Sequence, residues 1–163
     1  MIWRPINEGK DHINVYSKSA LPLGRALSNF FQSTFVHPEH GVFKSMEGYY
    51  FWLLTGQIHD GLKDLHGFPA KSFGGSQKKV RKIDKSFKEE IQIAITHKII
   101  QNEYIQGLLI ESKLPLAHYY YYGDKEKDPV IYDRSKQDGY MLDAIEEIRI
   151  ELKKNGRIYK GYH

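Results

Sequence analysis

Cysteine is absent from this chain of 163 residues, which excludes disulfides and thiolate metal sites. Long apolar runs are absent too, so no segment reads as a transmembrane helix, and the basic-then-apolar start of a secretory leader is missing. The expectation is a cytoplasmic protein without a membrane partner, made for the cell or for a virus resident in it. No internal repeat and no linker divides the sequence, so one domain is expected over 1–163, with its core over about 13–152. The eight histidines offer no i, i+4 pair: His37 and His40 stand three apart, and His59 and His66 seven apart. A zinc site is therefore not expected. Neither a Gly-x-Ser-x-Gly nucleophile motif nor a P-loop is present, because no Gly-Lys-Ser/Thr follows Phe73-Gly-Gly-Ser76.

Aromatic residues are plentiful. They make up 13% of the chain, with twelve tyrosines. The net charge of +4 and a pI near 9.0 favour anionic partners mildly, short of a dedicated nucleic-acid binder. Residues 27–30 read Leu-Ser-Asn-Phe and 43–52 read Phe-Lys-Ser-Met-Glu-Gly-Tyr-Tyr-Phe-Trp. Ser28, Asn29 and Glu47 are thus polar islands among aromatics, a composition that suits a pocket for a base joined to a sugar.

Several elements can be placed from the pattern. Residues 13–16 read as a short strand, leading into loop or turn chemistry over 21–24. Ser45 caps a helix expected over 46–54, buried nearly all round. The glycine-rich stretch 56–76 suggests a short helix over about 60–66 and then a long loop. The clearest helix is expected over 87–102, opened by the capping box of Ser86 and Glu89 and marked by Phe87, Ile91, Ala94, Ile95 and Ile99. A shorter helix follows over 104–110, and 116–122 reads as an aromatic strand. The last helix is expected over 138–154 with Asp138 as cap and Met141, Leu142, Ile145, Ile148 and Leu152 on one face. The tail 156–163 reads as loose. Helices supported by a few strands make the fold class α+β.

Glu47 has two readings. As a helix N-terminal acid it would satisfy free backbone amides. At the mouth of an aromatic-lined pocket, it would stabilise an oxocarbenium ion or activate water as a glycosidic bond breaks. Asn29 and Ser28 would then hold ribose hydroxyls, their plainer alternative being a turn or cap. On the tyrosine strand, alternation puts His118, Tyr120 and Tyr122 on one face and Tyr119 and Tyr121 on the other. His118 is either a satisfied structural histidine or one near the reaction. The basic run of Lys71, Lys78, Lys79, Arg81, Lys82, Lys85 and Lys88 is a solvated surface, or, with the amides of 73–76, a phosphate-binding region.

These residues in this order resemble the NADAR (YbiA-like) family. Its pattern is a strand ending in Tyr, then Leu-Ser-Asn-Phe, a Phe, a Gly and Ser-x-Glu-x-Tyr, matched by Tyr16, residues 27–30, Phe35, Gly41 and Ser45 to Tyr49. Ala70-Lys71, Arg81, Lys98 with Asn102, Leu108-Leu109, Arg149 and Leu152 follow in the expected order. Gly48 stands where the family has His, and the family's late acidic and Trp-Gly segment has no clear counterpart here.

The resemblance implies a helix-rich α+β fold and hydrolysis of an N-glycosidic bond to ribose. The substrate would be ADP-ribosylated guanine in nucleic acid or a phosphoribosyl riboflavin intermediate, and no metal or other cofactor is called for. Glu47 would carry the chemistry with Asn29 orienting the ribose and His118 in support. Ser28 would bind the sugar; Tyr49, Trp52 or Tyr120 would stack on the base; Arg25, Lys71 and Arg81 would take the phosphates. The alternatives are a non-catalytic protein that binds or sequesters an ADP-ribose-like nucleotide, and a basic nucleic-acid binder acting through 78–88.

Overall fold

A computed structural model describes residues 3–158. The strands are short and pair two by two. β1 (Ile13–Asn14) runs parallel to β4 (Leu116–Ala117), β2 (Phe35–His37) is antiparallel to β3 (Gly41–Phe43), and β5 (Tyr119–Tyr122) is antiparallel to β6 (Val130–Asp133). The helices are α1 (Pro22–Leu27), α2 (Met46–Leu54), α3 (Gly67–Ser76), α4 (Lys85–Ile100), α5 (Glu103–Glu111) and α6 (Gly139–Asn155), with 3-10 turns at Pro5–Asn7 and Asp60–Asp64. The class is α+β and helix-rich. Helix α4 packs on α2 and α6, and Phe87, Ile91, Ala94, Ile95 and Ile99 are buried along it at the expected helical spacing.

Local chemistry sets most boundaries. The Ser45 hydroxyl accepts from the Gly48 amide at 3.0 Å and caps α2 as expected. Helix α4 starts earlier than the sequence pattern suggested, because Asp84 rather than Ser86 is its cap, accepting from the Phe87 amide at 3.0 Å. Asn102 caps α5 in the same way through Ile105.

Four expectations are corrected. The turn expected over 21–24 is the start of α1, since Pro22 sits at the first helical position where its missing N–H leaves no bond unmade. The long loop expected before residue 76 is α3. Gly74 in it serves close packing rather than flexibility: a Cβ there would lie 2.3 Å from the Phe51 ring of α2. Asp138 precedes α6 without capping it, because its carboxylate is turned toward His118 and Arg134. Within the expected loose tail, Ile158 is tied down by reciprocal bonds with the Gln106 side chain at 2.8 and 3.1 Å. The remainder of that tail, 159–163, lies outside the described residues.

The aromatic strand is broken at His118 into β4 and β5. The buried Asn14 side chain stands in for a ladder residue there, donating to the Tyr119 carbonyl at 2.9 Å and accepting its amide at 3.0 Å. Beyond the break the expected alternation holds. Tyr119 is fully buried against His12, while His118, Tyr120 and Tyr122 face the other way.

Candidate functional site

The segment 28–31 is fastened from three sides. Lys98 of α4, fully buried, donates to the Ser28 carbonyl at 3.0 Å. The Glu47 amide at the start of α2 donates to the Asn29 carbonyl at 2.9 Å, and the Gly67 amide at the start of α3 donates to the Phe30 carbonyl at 3.1 Å. The Ser28 hydroxyl accepts from the Phe30 amide at 3.2 Å, closing a tight local turn. Ser28 and Asn29 are thereby set against the first turn of α2.

They line a cavity of about 570 Å³. Its apolar floor comes from Leu27, Ile95, Met141, Leu142 and Ile145, and its aromatic wall from Tyr16, Phe30, Tyr50, Phe68, Tyr120 and Tyr122. The polar groups are Ser28, Asn29, Glu47, His118, Arg134 and Asp138, with Lys18 and Lys71. A volume and lining of this kind suit a nucleotide-sized ligand with a few fixed polar contacts.

Glu47 does not cap its helix, since Ser45 already does. Its carboxyl makes no hydrogen bond to any described residue, and no buried side-chain oxygen among them is left without a partner, so the carboxyl opens to the cavity. Burial among aromatic and aliphatic groups pushes it up to about 7; Lys71 opposes that shift and Asp138 adds to it. Asp138 behaves oppositely. Burial alone would raise it, but hydrogen bonds from His118 and Arg134 outweigh burial and hold it below the ordinary carboxylate value. His118 lies with Nδ1 2.6 Å from the Val15 carbonyl and Nε2 3.2 Å from Asp138 Oδ2, so both ring nitrogens face acceptors. Burial raises the phenol of Tyr50 to about 12 and raises those of Tyr16 and Tyr120 as well, so all three remain neutral donors at physiological pH.

Of the residues picked out from the sequence, Ser28, Asn29, Glu47, Lys71, His118 and Tyr120 meet in this cavity. Four others do not line it. Tyr49 and Trp52 are buried on the far side of α2, where Tyr49 Oη meets His40 Nδ1 at 3.1 Å and Trp52 Nε1 donates to Asp60 at 3.0 Å. At 100° per residue, positions 49 and 52 cannot share a face with 47, whereas 50 can. Arg81 is paired with Glu90 at 2.9 Å, and Arg25 is exposed with Nη1 on the Ser19 carbonyl at 2.8 Å. The amides of 73–76, expected to meet phosphate, lie within α3 instead.

The sequence reading missed Tyr16, Tyr50, Phe68, Arg134 and Asp138. Helical phase relative to Glu47 signals Tyr50. Arg134 and Asp138 stand at i, i+4 and bond at 3.2 Å, a spacing readable from sequence had the segment been recognised as one turn.

No family model and no curated protein matches the sequence. Among solved structures, the solution NMR structure of the Escherichia coli protein YbiA is similar at 18% identity and a TM-score of 0.61, over 94% of this chain and 92% of that one. At that identity the likeness concerns the fold, and the fold of this chain is YbiA-like.

Proposed function

We propose that the protein is an N-glycosidase that hydrolyses the bond between ribose and a nitrogen base in an ADP-ribosyl or phosphoribosyl adduct. The observation carrying this reading is the Glu47 carboxyl, open to an aromatic cavity and free of any hydrogen bond to the described residues. A carboxyl left in that state gives the fold no bond, and burial keeps it protonated to about pH 7. Such a group can pass a proton to a departing base and take one back from attacking water. Asn29, whose side-chain amide has only the Met141 sulfur as partner among the described residues, at 3.6 Å, is free to bind ribose hydroxyls. Lys71 and Lys18 offer charge to phosphates, and Tyr120, Tyr50 and Phe68 offer rings to the base.

The second reading keeps the cavity and drops the reaction: a protein that binds or sequesters an ADP-ribose-like nucleotide. It is favoured by Gly48, which stands where the resembling family carries histidine, with the Leu62 carbonyl occupying the space a side chain would need.

The test is release of ADP-ribose from ADP-ribosylated guanine oligonucleotide, and of ribose phosphate from the phosphoribosyl riboflavin intermediate, by wild type and Glu47→Gln. Cleavage lost in the variant supports the glycosidase and identifies its substrate branch. Micromolar binding of ADP-ribose without cleavage supports the binding protein, and absence of both overturns the two readings together.

A further inference from the structure

The cavity holds a second carboxylate in a different electrostatic setting, and no sequence motif announced it. Asp138 lies just ahead of α6, and two donors converge on one of its oxygens, Oδ2: His118 Nε2 at 3.2 Å and Arg134 Nε at 3.2 Å. The other oxygen, Oδ1, accepts no hydrogen bond among the described residues, yet no buried oxygen among them is unsatisfied, so Oδ1 opens to the cavity. The donors are themselves anchored. His118 is held through Nδ1 on the Val15 carbonyl, and the Arg134 amide donates to the His118 carbonyl at 2.8 Å. This arrangement fixes one oxygen and leaves its twin free to meet a charge. It does so in the same cavity as Glu47, where the two groups are near enough for Asp138 to raise the Glu47 carboxyl.

From this geometry we infer that Asp138 is a catalytic residue, its Oδ1 supplying the negative charge that stabilises the ribosyl cation, with His118 and Arg134 as its positioning residues. The assignment rests on the glycosidase reading above. Glu47 gives its proton to the departing base nitrogen as the C1′–N bond breaks. The bond's electron pair leaves with the nitrogen, and the positive charge shared by C1′ and the ring oxygen faces Asp138. Water then adds to C1′ and its proton returns to Glu47, so that base, free sugar and the starting enzyme result. Two carboxyls thus divide the work because their surroundings drive their affinities for protons apart.

The test compares wild type, Asp138→Asn, Asp138→Glu and His118→Gln on whichever adduct the wild type cleaves, with ADP-ribose affinity and thermal unfolding measured in parallel. For Asp138→Asn, kcat is expected to fall about 100- to 1,000-fold while ADP-ribose affinity changes less than about threefold. Asp138→Glu should recover part of the loss. His118→Gln should lower kcat by about tenfold through a less well held Asp138.

The pH profile separates charge from structure. Glu47 is faced by Lys71 of α3, by Asp138 and Arg134 ahead of α6, by Tyr120 of β5 and by Tyr50 of its own helix. Removing only the Asp138 charge should therefore shift the alkaline limb of kcat/KM, and the carbon-13 NMR titration of the Glu47 carboxyl, to lower pH. Wild-type kcat and an unmoved Glu47 titration in Asp138→Asn would overturn the assignment and leave the glycosidase reading intact. Absence of wild-type turnover would overturn that reading and this assignment with it.

Discussion

The backbone amide of Glu47 donates to the backbone carbonyl of Asn29 across 2.9 Å, joining the first turn of α2 to the Leu-Ser-Asn-Phe segment eighteen residues earlier. This bond uses one of the helix's free N-terminal amides, and Ser45 uses another. Neither demand falls on the Glu47 side chain, which is why its carboxyl can remain unpaired in the cavity. The candidate site thus follows from how α2 is capped: backbone groups close the helix end, and the acid in its first turn is released for other use.

That freedom has a measurable consequence for stability. The Glu47 carboxyl is raised from 4.5 to about 7 in the folded protein, so between those values the folded state holds a proton that the unfolded chain has lost. Stability associated with this group is present below about pH 4.5 and is lost as pH rises through about 7. Replacing Glu47 by Gln removes the ionisation. The variant is expected to be more stable than wild type by about 1–2 kcal/mol at pH 8, and equally stable at pH 4. Urea denaturation at the two pH values checks this; equal stabilities at pH 8 would mean that Glu47 ionises without strain.

Lys98 gives the opposite sign in a different window. The residue is 2% exposed, and burial lowers its amine from 10.5 to about 7. Between those values the unfolded chain binds a proton that the folded protein does not, so stability rises with pH. From about pH 7 to 9.5 wild type should gain on the order of 2–3 kcal/mol that Lys98→Met lacks. The tyrosines that burial raises are common to both proteins, so their titration cancels in the difference. The Ser28 carbonyl keeps the Phe31 amide as a donor in the variant, so the fold should survive. A parallel rise in both proteins across the window would show that Lys98 is not the group responsible.

What the sequence made legible was chemistry repeated along one element. The Ser45 cap, the apolar stripe of α4 and the alternation of His118, Tyr120 and Tyr122 all depend on residues close in the chain, and all are present in the structure. The likeness in fold to YbiA agrees with the helix-rich α+β class expected from the sequence. What it concealed depended on contacts across the chain. Asp138 looked like a cap because capping preference is local, while one of its two partners, His118, lies twenty residues back. The glycines of α3 suggested a loop because the Phe51 ring that demands Gly74 belongs to another helix. β2 and β3 are three residues each, too short for a period of two to declare itself.

Gly48 is the next test, because steric contact there involves backbone on both sides. A Cβ at this position would lie 2.3 Å from the Leu62 carbonyl oxygen and 3.2 Å from that of Leu65. Backbone cannot yield as a flexible side chain does, so α2 and the 59–65 segment would have to separate. Gly48→Ala should destabilise the protein by about 2–3 kcal/mol. Gly75 on α3 is the control, with nothing within 4 Å of its Cβ position. There the same substitution should stabilise by about 0.5–1 kcal/mol through helix propensity alone. Denaturation midpoints of both variants decide it; similar effects at the two sites would rule out a steric role for Gly48.

The sharpest prediction concerns two groups that mask one another. His37 is buried at the end of β2, and its Nδ1 accepts the amides of Glu39 and His40, each at 3.1 Å. Burial first, then His40 of the same hairpin and His97 of α4, lower it from 6.5 to about 4, against a smaller pull from Glu39 and Glu90. A proton on Nδ1 would break both turn bonds. The unfolded chain therefore takes up the proton first, and stability is lost as pH falls from about 6.5 toward 4. Glu47 acts in the reverse sense over nearly the same interval, adding stability as pH falls from about 7 toward 4.5. Between about pH 4.5 and 6.5 the two contributions oppose each other. Glu47→Gln should uncover the His37 term, so that the variant loses more stability than wild type on acidification. His37→Asn, whose side-chain oxygen can still accept a turn amide, should uncover the Glu47 term and gain stability relative to wild type over the same interval. Titrations of the other carboxyls and histidines are common to all these proteins and cancel in the differences. Urea denaturation of wild type, both single variants and the double variant at intervals across this range measures those differences. Single-variant differences of opposite slope that sum to the double variant's would establish two independent groups. Slopes of the same sign would mean that one of the two ionisations has been assigned to the wrong residue.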